Sequence, residues 1–203
     1  MKTIKLGEIA EIIGGQIMTR VKTESQNEET SETVKVIVPK AIEEIGFINP
    51  DMLAEESIRT KIDERKTAHN GDIIIKLNAP YDCGIVDENT VGAVVPSFCA
   101  RIVINRTQFN TNKLIPEYLL AFLNSRRCRK QIERLVQGSV MGVVSVGRLK
   151  DIEVPLPAVE HQFSIGNNYG NTQWRLRILK EILQLEQMNN DAVFNELESQ
   201  YGD

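Results

Sequence analysis

Gln137-Gly138-Ser139, then Ile152-Glu153-Val154-Pro155-Leu156-Pro157 and Glu160-His161-Gln162, is the stretch on which the fold turns. Glycine between two polar residues ends a helix. A short β-branched run closed by Leu-Pro reads as a strand, and beyond Pro157 the strand signals stop. From Ala158 to Gln200 there is no proline, so one helix is predicted, roughly 65 Å long at about 1.5 Å per residue. Gly166 and Gly170 are poor helix formers and predict a bend, or a start delayed to Asn171. Leu176, Leu179, Leu183, Val193 and Leu197 fall on one heptad seam, interrupted by Glu186 and Asn190 and flanked by Ile178, Ile182 and Leu185. A polar residue in such a seam sets register and partner number.

Upstream, helical spacing of Leu6, Ile9 and Ile12 predicts a short helix stopped by Gly14-Gly15. The stretch Thr23–Thr33 holds four glutamates and no aliphatic or aromatic residue, and reads as a surface loop. Val34–Val38 reads as a strand closed by Pro39, and Asn49-Pro50-Asp51 caps a short helix within the charged stretch 51–68. Asn70-Gly71-Asp72 turns into a buried strand at Ile73-Ile74-Ile75. Two more strands are expected at Val91–Val95 and Ala100–Ile104. Pro116 opens a helix with Tyr118, Leu119, Phe122 and Leu123 on one side, which restarts or continues through Arg126 to Val136. Val143-Val144 and Ile152–Val154 are the last strand candidates. The expected class is α+β: a β-rich domain with interspersed helices over 1–157, then a long coiled-coil-type helix over 158–203. Without βα alternation, a doubly wound sheet is not expected.

Composition narrows the chemistry. The chain has 203 residues, 41% of them hydrophobic, enough for a sizeable core. No apolar run reaches membrane-spanning length and the N-terminus lacks a signal-peptide pattern, so a cytoplasmic protein is expected. Cys83, Cys99 and Cys128 are odd in number and lack zinc-ligand spacing, even with His69 and His161, so reduced thiols and no metal are expected. The net charge of −4 is unevenly spread. Residues 101–150 hold 10 Lys/Arg against 2 Asp/Glu, a basic block between two acidic ones. Such a block gains from phosphate contact by counterion release.

The motifs, in order, resemble one family. Leu6-Gly7-Glu8-Ile9-Ala10 with Gly14-Gly15, Gly71-Asp72-Ile73-Ile74-Ile75-Lys76-Leu77, Pro116–Ser125, Gln137-Gly138-Ser139, and Val154-Pro155-Leu156-Pro157 with Glu160 and Gln162 together resemble the DNA specificity subunits of type I restriction-modification systems. Each piece alone is common; the five in this order are not. The resemblance covers nearly the whole chain and amounts to one target-recognition domain plus one spacer helix. Gly166 and Gly170 depart from the unbroken helix formers usual there. Full-length members carry two recognition domains at opposite ends of an antiparallel helix pair and read the two halves of a split target. The resemblance therefore implies a non-catalytic reader that needs no cofactor of its own. As a homodimer through Leu176, Leu179, Leu183, Asn190, Val193 and Leu197, it would read a split palindrome on double-stranded DNA. It would guide adenine methylation by a modification subunit, with cleavage where a restriction subunit joins; pairing with a different half-subunit would give an asymmetric target.

For DNA contact, the basic cluster Arg126, Arg127, Arg129, Lys130 and Arg134 suits phosphates. Lys76, Asn78 and Tyr81 follow a buried strand. Asn78 suits bidentate pairing with adenine, and Tyr81 either packs on a sugar or base or belongs to the core. Gln137 and Ser139 flank the turn glycine, and Arg20 and Lys22 precede the acidic loop. Two other readings remain at this level. One is an assembly or adaptor protein of a restriction-modification or anti-restriction system that reads no DNA. The other is a DNA amino-methyltransferase fragment using Asn78-Ala79-Pro80-Tyr81. Against the latter, Ala79 stands where that motif has proline, and no glycine-rich nucleotide loop lies upstream.

Overall fold

The structure, a computed structural model, describes residues 2–23, 32–105, 114–137 and 142–201. Elements run in the order β1 (Thr3–Lys5), α1 (Leu6–Ile9), β2 (Ala10–Gly14), β3 (Glu32–Val36), β4 (Ala54–Ile58), β5 (Ile73–Lys76), β6 (Cys83–Ile85), β7 (Cys99–Ile104), α2 (Pro116–Leu123), α3 (Arg126–Leu135), α4 (Val146–Leu149), β8 (Glu153–Pro155) and α5 (Val159–Tyr201). The class is α+β, with a β-rich body and one long C-terminal helix.

A four-stranded antiparallel sheet, ordered β2-β7-β5-β6, is the frame. Its centre is β5, whose three isoleucines are fully buried. Alternation sends Ile73 and Ile75 into a main core with α2, α3 and α4, and Ile74 into a smaller core under the 37–53 segment. Cover on both faces explains why this strand is uniformly apolar. Two satellite ribbons complete the body: β1 with β8, and β3 with β4. The first brings the chain's start beside the strand that launches α5.

Several expectations change. Residues 4–13 form two strands around a single helical turn, because Ile12 and Ile13 lie in register with Ile102 and Arg101 on β7. Spacing of three suited a helix, but β-branched residues beside a sheet pack better as strand. In the stretch 51–68, Asn49 caps only a 3-10 turn at Pro50–Met52, its side chain accepting from the Asp51 N–H. The chain then extends as β4 to pair with β3. The stretch 91–95 joins its neighbours by isolated bridges, Val94 to Val36 and to Thr67. Val143-Val144 is irregular, and β6 had no expectation. The loop predicted at 23–33 falls largely outside the described residues.

The long helix starts at Val159, not at Asn171. Gly166 explains the early start, since a Cβ there would sit 3.0 Å from Glu117 Cβ and 3.1 Å from the Tyr118 nitrogen. Glycine is what lets α5 approach α2 this closely. Nothing lies within 4 Å of a Cβ placed at Gly170.

Candidate nucleic-acid interface

Helix α3 begins where Ser125 accepts a hydrogen bond from the Cys128 N–H at 3.2 Å, an N-cap that separates α3 from α2. Cys128 and Ile132 are buried inward. The spacing of Arg126, Arg127, Lys130 and Arg134 puts four exposed cations on the opposite face. They rim an open depression of about 660 Å³, with Gln131 and Leu135 in its wall and Asp151 and Glu153 across from them. Gln131 exchanges two hydrogen bonds with the Glu153 backbone, at 3.0 and 2.9 Å, which fixes α3 to β8. The Arg148 guanidinium donates to the Leu135 carbonyl at the far end of α3. Arg126 and Arg127 occupy the first helical turn, where the macrodipole disfavours cations. Arginines held there against local preference on a rigid helix suit an external anion.

Arg129 points elsewhere. It donates to Asp82 Oδ1 at 2.9 Å, and Lys76 reaches Asp82 Oδ2 at 2.9 Å. Asp82 is buried, so it neutralises two of the expected phosphate ligands inside the fold. Lys22 pairs with Glu56 at 2.5 Å. Arg101, part of the basic block, is also internal: it donates to Asp72 and the Arg65 carbonyl and approaches His69 Nδ1 at 2.6 Å. The accessible part of that block thus includes the α3 face.

The 77–82 loop leaves β5 through a cis Ala79–Pro80 bond and a left-handed Tyr81 at φ 61°. The Tyr81 ring is buried, and its hydroxyl donates to the Gly142 carbonyl at 2.7 Å, so this side chain takes the core role. Asn78 is exposed at the tip. This loop is not isolated. The Leu77 N–H donates to the Phe98 carbonyl, the Val144 N–H to the Leu77 carbonyl, and the Gln16 N–H to the Val95 carbonyl. Three segments besides its own therefore converge at one end of the sheet. These segments carry Ile17, Phe98 and Val143 as exposed apolar side chains, and Asn78 is exposed in the same loop as Leu77. Sequence reading missed these three; an aromatic in a Pro-Ser-Phe turn between apolar stretches was the available signal. Arg20 is exposed in the 3-10 turn that follows Ile17. Gln137 is exposed just beyond α3, and Ser139 lies outside the described residues.

Helix α5 is anchored by polar contacts. Gln162, fully buried, accepts from the Ile115 N–H at 3.2 Å and donates to the Pro157 carbonyl at 3.1 Å. Asn124 bonds both backbone groups of Cys83 at 2.9 Å and donates to the Tyr169 hydroxyl at 2.9 Å. Further out, Arg177 stacks 4.2 Å above the Phe47 ring and Lys180 pairs with Glu43 at 2.6 Å. From residue 181 to 199 the side chains are exposed, including Leu183, Val193 and Leu197. The expected seam residues Leu176, Leu179 and Asn190 are exposed too.

Burial raises the Cys83 thiol well above its ordinary value and lifts Cys99 and Cys128 to about 12, so all three are protonated near neutrality. Among the described residues no group of three or more His, Cys, Asp or Glu is placed to hold a metal. No helix among them is long and apolar enough to cross a membrane.

Comparison with known proteins agrees with this architecture. A chain from a study of complex assembly and conformational transition of the type I R-M system superposes with a TM-score of 0.63 at 18% identity, over 95% of this chain and 47% of that one. The HsdS subunit from Thermoanaerobacter tengcongensis gives 0.62 at 18%, over 95% and 46%. The type I S subunit from M. genitalium gives 0.55 at 14%, over 94% and 44%. The chain thus spans about half the length of the solved structures it matches, and at these identities the likeness is one of fold. No curated protein matches. Residues 1–168 match the family described as the type I restriction modification DNA specificity domain, and the chain belongs to that family.

Proposed function

We propose that this chain reads one half of a split DNA target and, as a homodimer held by α5, guides adenine methylation by a partner modification subunit. The observation that carries the reading is a pairing of features on one body. A helix with four outward cations and a cluster of exposed loops sit on a domain clamped to one end of a rod whose side chains from 181 to 199 are exposed. Arg126, Arg127, Lys130 and Arg134 hold phosphates. Asn78 at the loop end offers the donor and acceptor that suit adenine, and Phe98, on a segment bonded to that loop, offers an apolar surface for a thymine methyl. Arg20 and Gln137 extend this reach. Lys22, Lys76 and Arg129 act indirectly, by fixing the loops they are paired to, and Tyr81 shapes its loop from within.

Family specificity subunits are generally non-catalytic, and the chain's own groups fit that role. Its thiols are neutral, and the Tyr81 ring that a methyltransferase motif would present to a base is packed inward. The modification subunit brings the methyl donor, and a restriction subunit adds cleavage where present. All of this takes place in the cytoplasm, where DNA and these partners are found.

The test is binding to a DNA pool at several salt concentrations. The reading expects enrichment of one split sequence and a steep salt dependence. The adaptor alternative expects partner binding without DNA preference. A chain that binds its modification subunit but enriches no sequence refutes the reading.

A further inference from the structure

Among the described residues of 2–157, four large apolar side chains are exposed: Ile17, Val91, Phe98 and Val143. Three of these, Ile17, Phe98 and Val143, belong to segments bonded together at one end of the main sheet, where β2 and β5 finish and β7 starts. We infer, on the half-site reading above, that this end enters DNA as an apolar wedge: Phe98, with Ile17 and Val143 on the neighbouring segments, inserts between two adjacent base pairs and unstacks them. Insertion goes beyond surface contact with a thymine methyl, because it deforms the duplex.

Charge favours nucleic acid as the occupant. The chain carries 28 Asp and Glu, yet residues 14–20, 77–81, 95–99 and 142–145 hold none. Asp82, the next residue of the loop, is buried and bonded to Lys76 and Arg129. Helix α3 brings Glu133 close enough to act on the Tyr81 hydroxyl, but that helix holds five Lys and Arg against this one acid. The exposed polar side chains of these segments are uncharged, Asn78 and Ser97 among them, or cationic, as Arg20 is. A protein partner accepts either sign around an apolar patch, whereas a duplex repels carboxylates. Phe98 is also the one exposed aromatic among the described residues of 2–157. Tyr81, Tyr118 and Phe122 are buried, and half-buried Phe47 lies beneath the Arg177 guanidinium. Phenylalanine and aliphatic side chains are the groups that part base steps.

A wedge must hold its place against the stack, and the backbone beneath this one is fixed. The Phe98 carbonyl accepts from the Leu77 N–H at 2.9 Å, and the Cys99 N–H closes a turn onto the Pro96 carbonyl at 2.9 Å. The Gly15 N–H donates to the Cys99 carbonyl at 3.1 Å and the Gln16 N–H to the Val95 carbonyl at 2.7 Å. A Cβ at Gly15 would collide with the Pro96 carbonyl oxygen, so glycine is what lets the segment leading to Ile17 press onto the Phe98 turn. Lys66 clamps the same place, its ammonium donating to the carbonyls of Gly14 and Gly15 at 3.1 and 3.0 Å. Val143 is held from both sides: the Val144 N–H donates to the Leu77 carbonyl at 2.8 Å, and the Gly142 carbonyl accepts from the Tyr81 hydroxyl at 2.7 Å. Loops tied in this way do not yield when pushed against stacked bases.

Insertion has a consequence for sequence. Pyrimidine–purine steps are the easiest to unstack, and wedges of this kind bend DNA by about 20–90°. The half-site is therefore expected to hold such a step at the wedge, selected by its deformability and not by a hydrogen bond.

The test uses the full chain with its modification subunit and the split sequence obtained by selection. 2-Aminopurine replaces the purine of each pyrimidine–purine step in turn, and its fluorescence reports loss of stacking. Energy transfer between the labelled ends of the duplex reports the bend. Expected are a rise of roughly five-fold at one step, a bent duplex, and loss of both in Phe98→Ala, with Phe98→Leu restoring part of each. Affinity should fall roughly ten-fold in Phe98→Ala while the slope of log K against log salt stays unchanged, because no phosphate contact is lost. A shallower slope in that variant would assign Phe98 to the phosphate contacts and overturn the wedge. A fluorescence rise confined to the methylated adenine belongs to extrusion of that base by the modification subunit and overturns it as well. So does a straight, fully stacked duplex in the specific wild-type complex, an outcome that needs no variant to fold. Loss of the modification subunit from Phe98→Ala with the bend kept would mark a protein contact, again overturning it. Absence of any enriched sequence removes the half-site reading first, and the wedge with it.

Discussion

Asp82 holds two cations that a sequence reading offers to DNA. With Lys76 and Arg129 both bonded to it at 2.9 Å, the three side chains tie β5, the following loop and α3 into one body. Asp82→Ala leaves a half-buried arginine and a largely buried lysine without their counter-ion, so a loss of about 3–5 kcal/mol is expected, read as a lowered denaturation midpoint. The outward cations behave oppositely. Arg126→Ala with Arg127→Ala and Lys130→Ala should leave the melting temperature nearly unchanged. DNA affinity should fall at least ten-fold, and the slope of log K against log salt should shrink by about 0.9 for each phosphate no longer neutralised. Unchanged affinity in that triple variant would remove α3 from the interface. The sequence could not separate the two classes, because Arg129 and Lys130 differ only in helical phase around an axis whose buried side was unknown.

Gly166 and Gly170 lie one helical turn apart on α5, yet substitutions there should move stability in opposite directions. Gly166→Leu forces α5 off α2 and should cost about 1–3 kcal/mol by overpacking. Gly170→Ala meets nothing within 4 Å and should gain about 1 kcal/mol from helix propensity. Thermal melts of both variants check this, and a shared sign would contradict the packing described. Helix α2 and the far half of α5 were legible in the sequence, because their signals are long and periodic. The first segment was not: Leu6, Ile9 and Ile12 satisfy a helical spacing, and only the neighbouring β7 strand decides between helix and strand. β4 was hidden for a related reason. Its Glu55 and Glu56 look like a solvated helix, whereas the strand faces solvent at the edge of a two-stranded ribbon. The basic helix face was visible as a charge block, but the loop cluster of Ile17, Phe98 and Val143 was not. Its members come from three separated segments that only the sheet brings together.

For the molecule as a whole, the proposed function requires rigidity between a reading surface and a distant pairing seam. Buried Gln162, the Asn124–Tyr169 bond and the Lys180–Glu43 pair fix where the rod leaves the domain. Leu179→Glu with Leu183→Glu places two charges in the seam and should yield monomers in sedimentation while the domain stays folded, since both side chains are exposed in the single chain. Half-site contacts alone should then bind far more weakly, because the second domain no longer gains from effective concentration. The most direct measurement is to express the chain with its modification subunit in cells free of other adenine methylation and map every methylated adenine. One motif is expected, split and palindromic, with a fixed gap, that vanishes in the Leu179→Glu, Leu183→Glu variant. Methylation without a motif, or the same motif in cells lacking this chain, would contradict it.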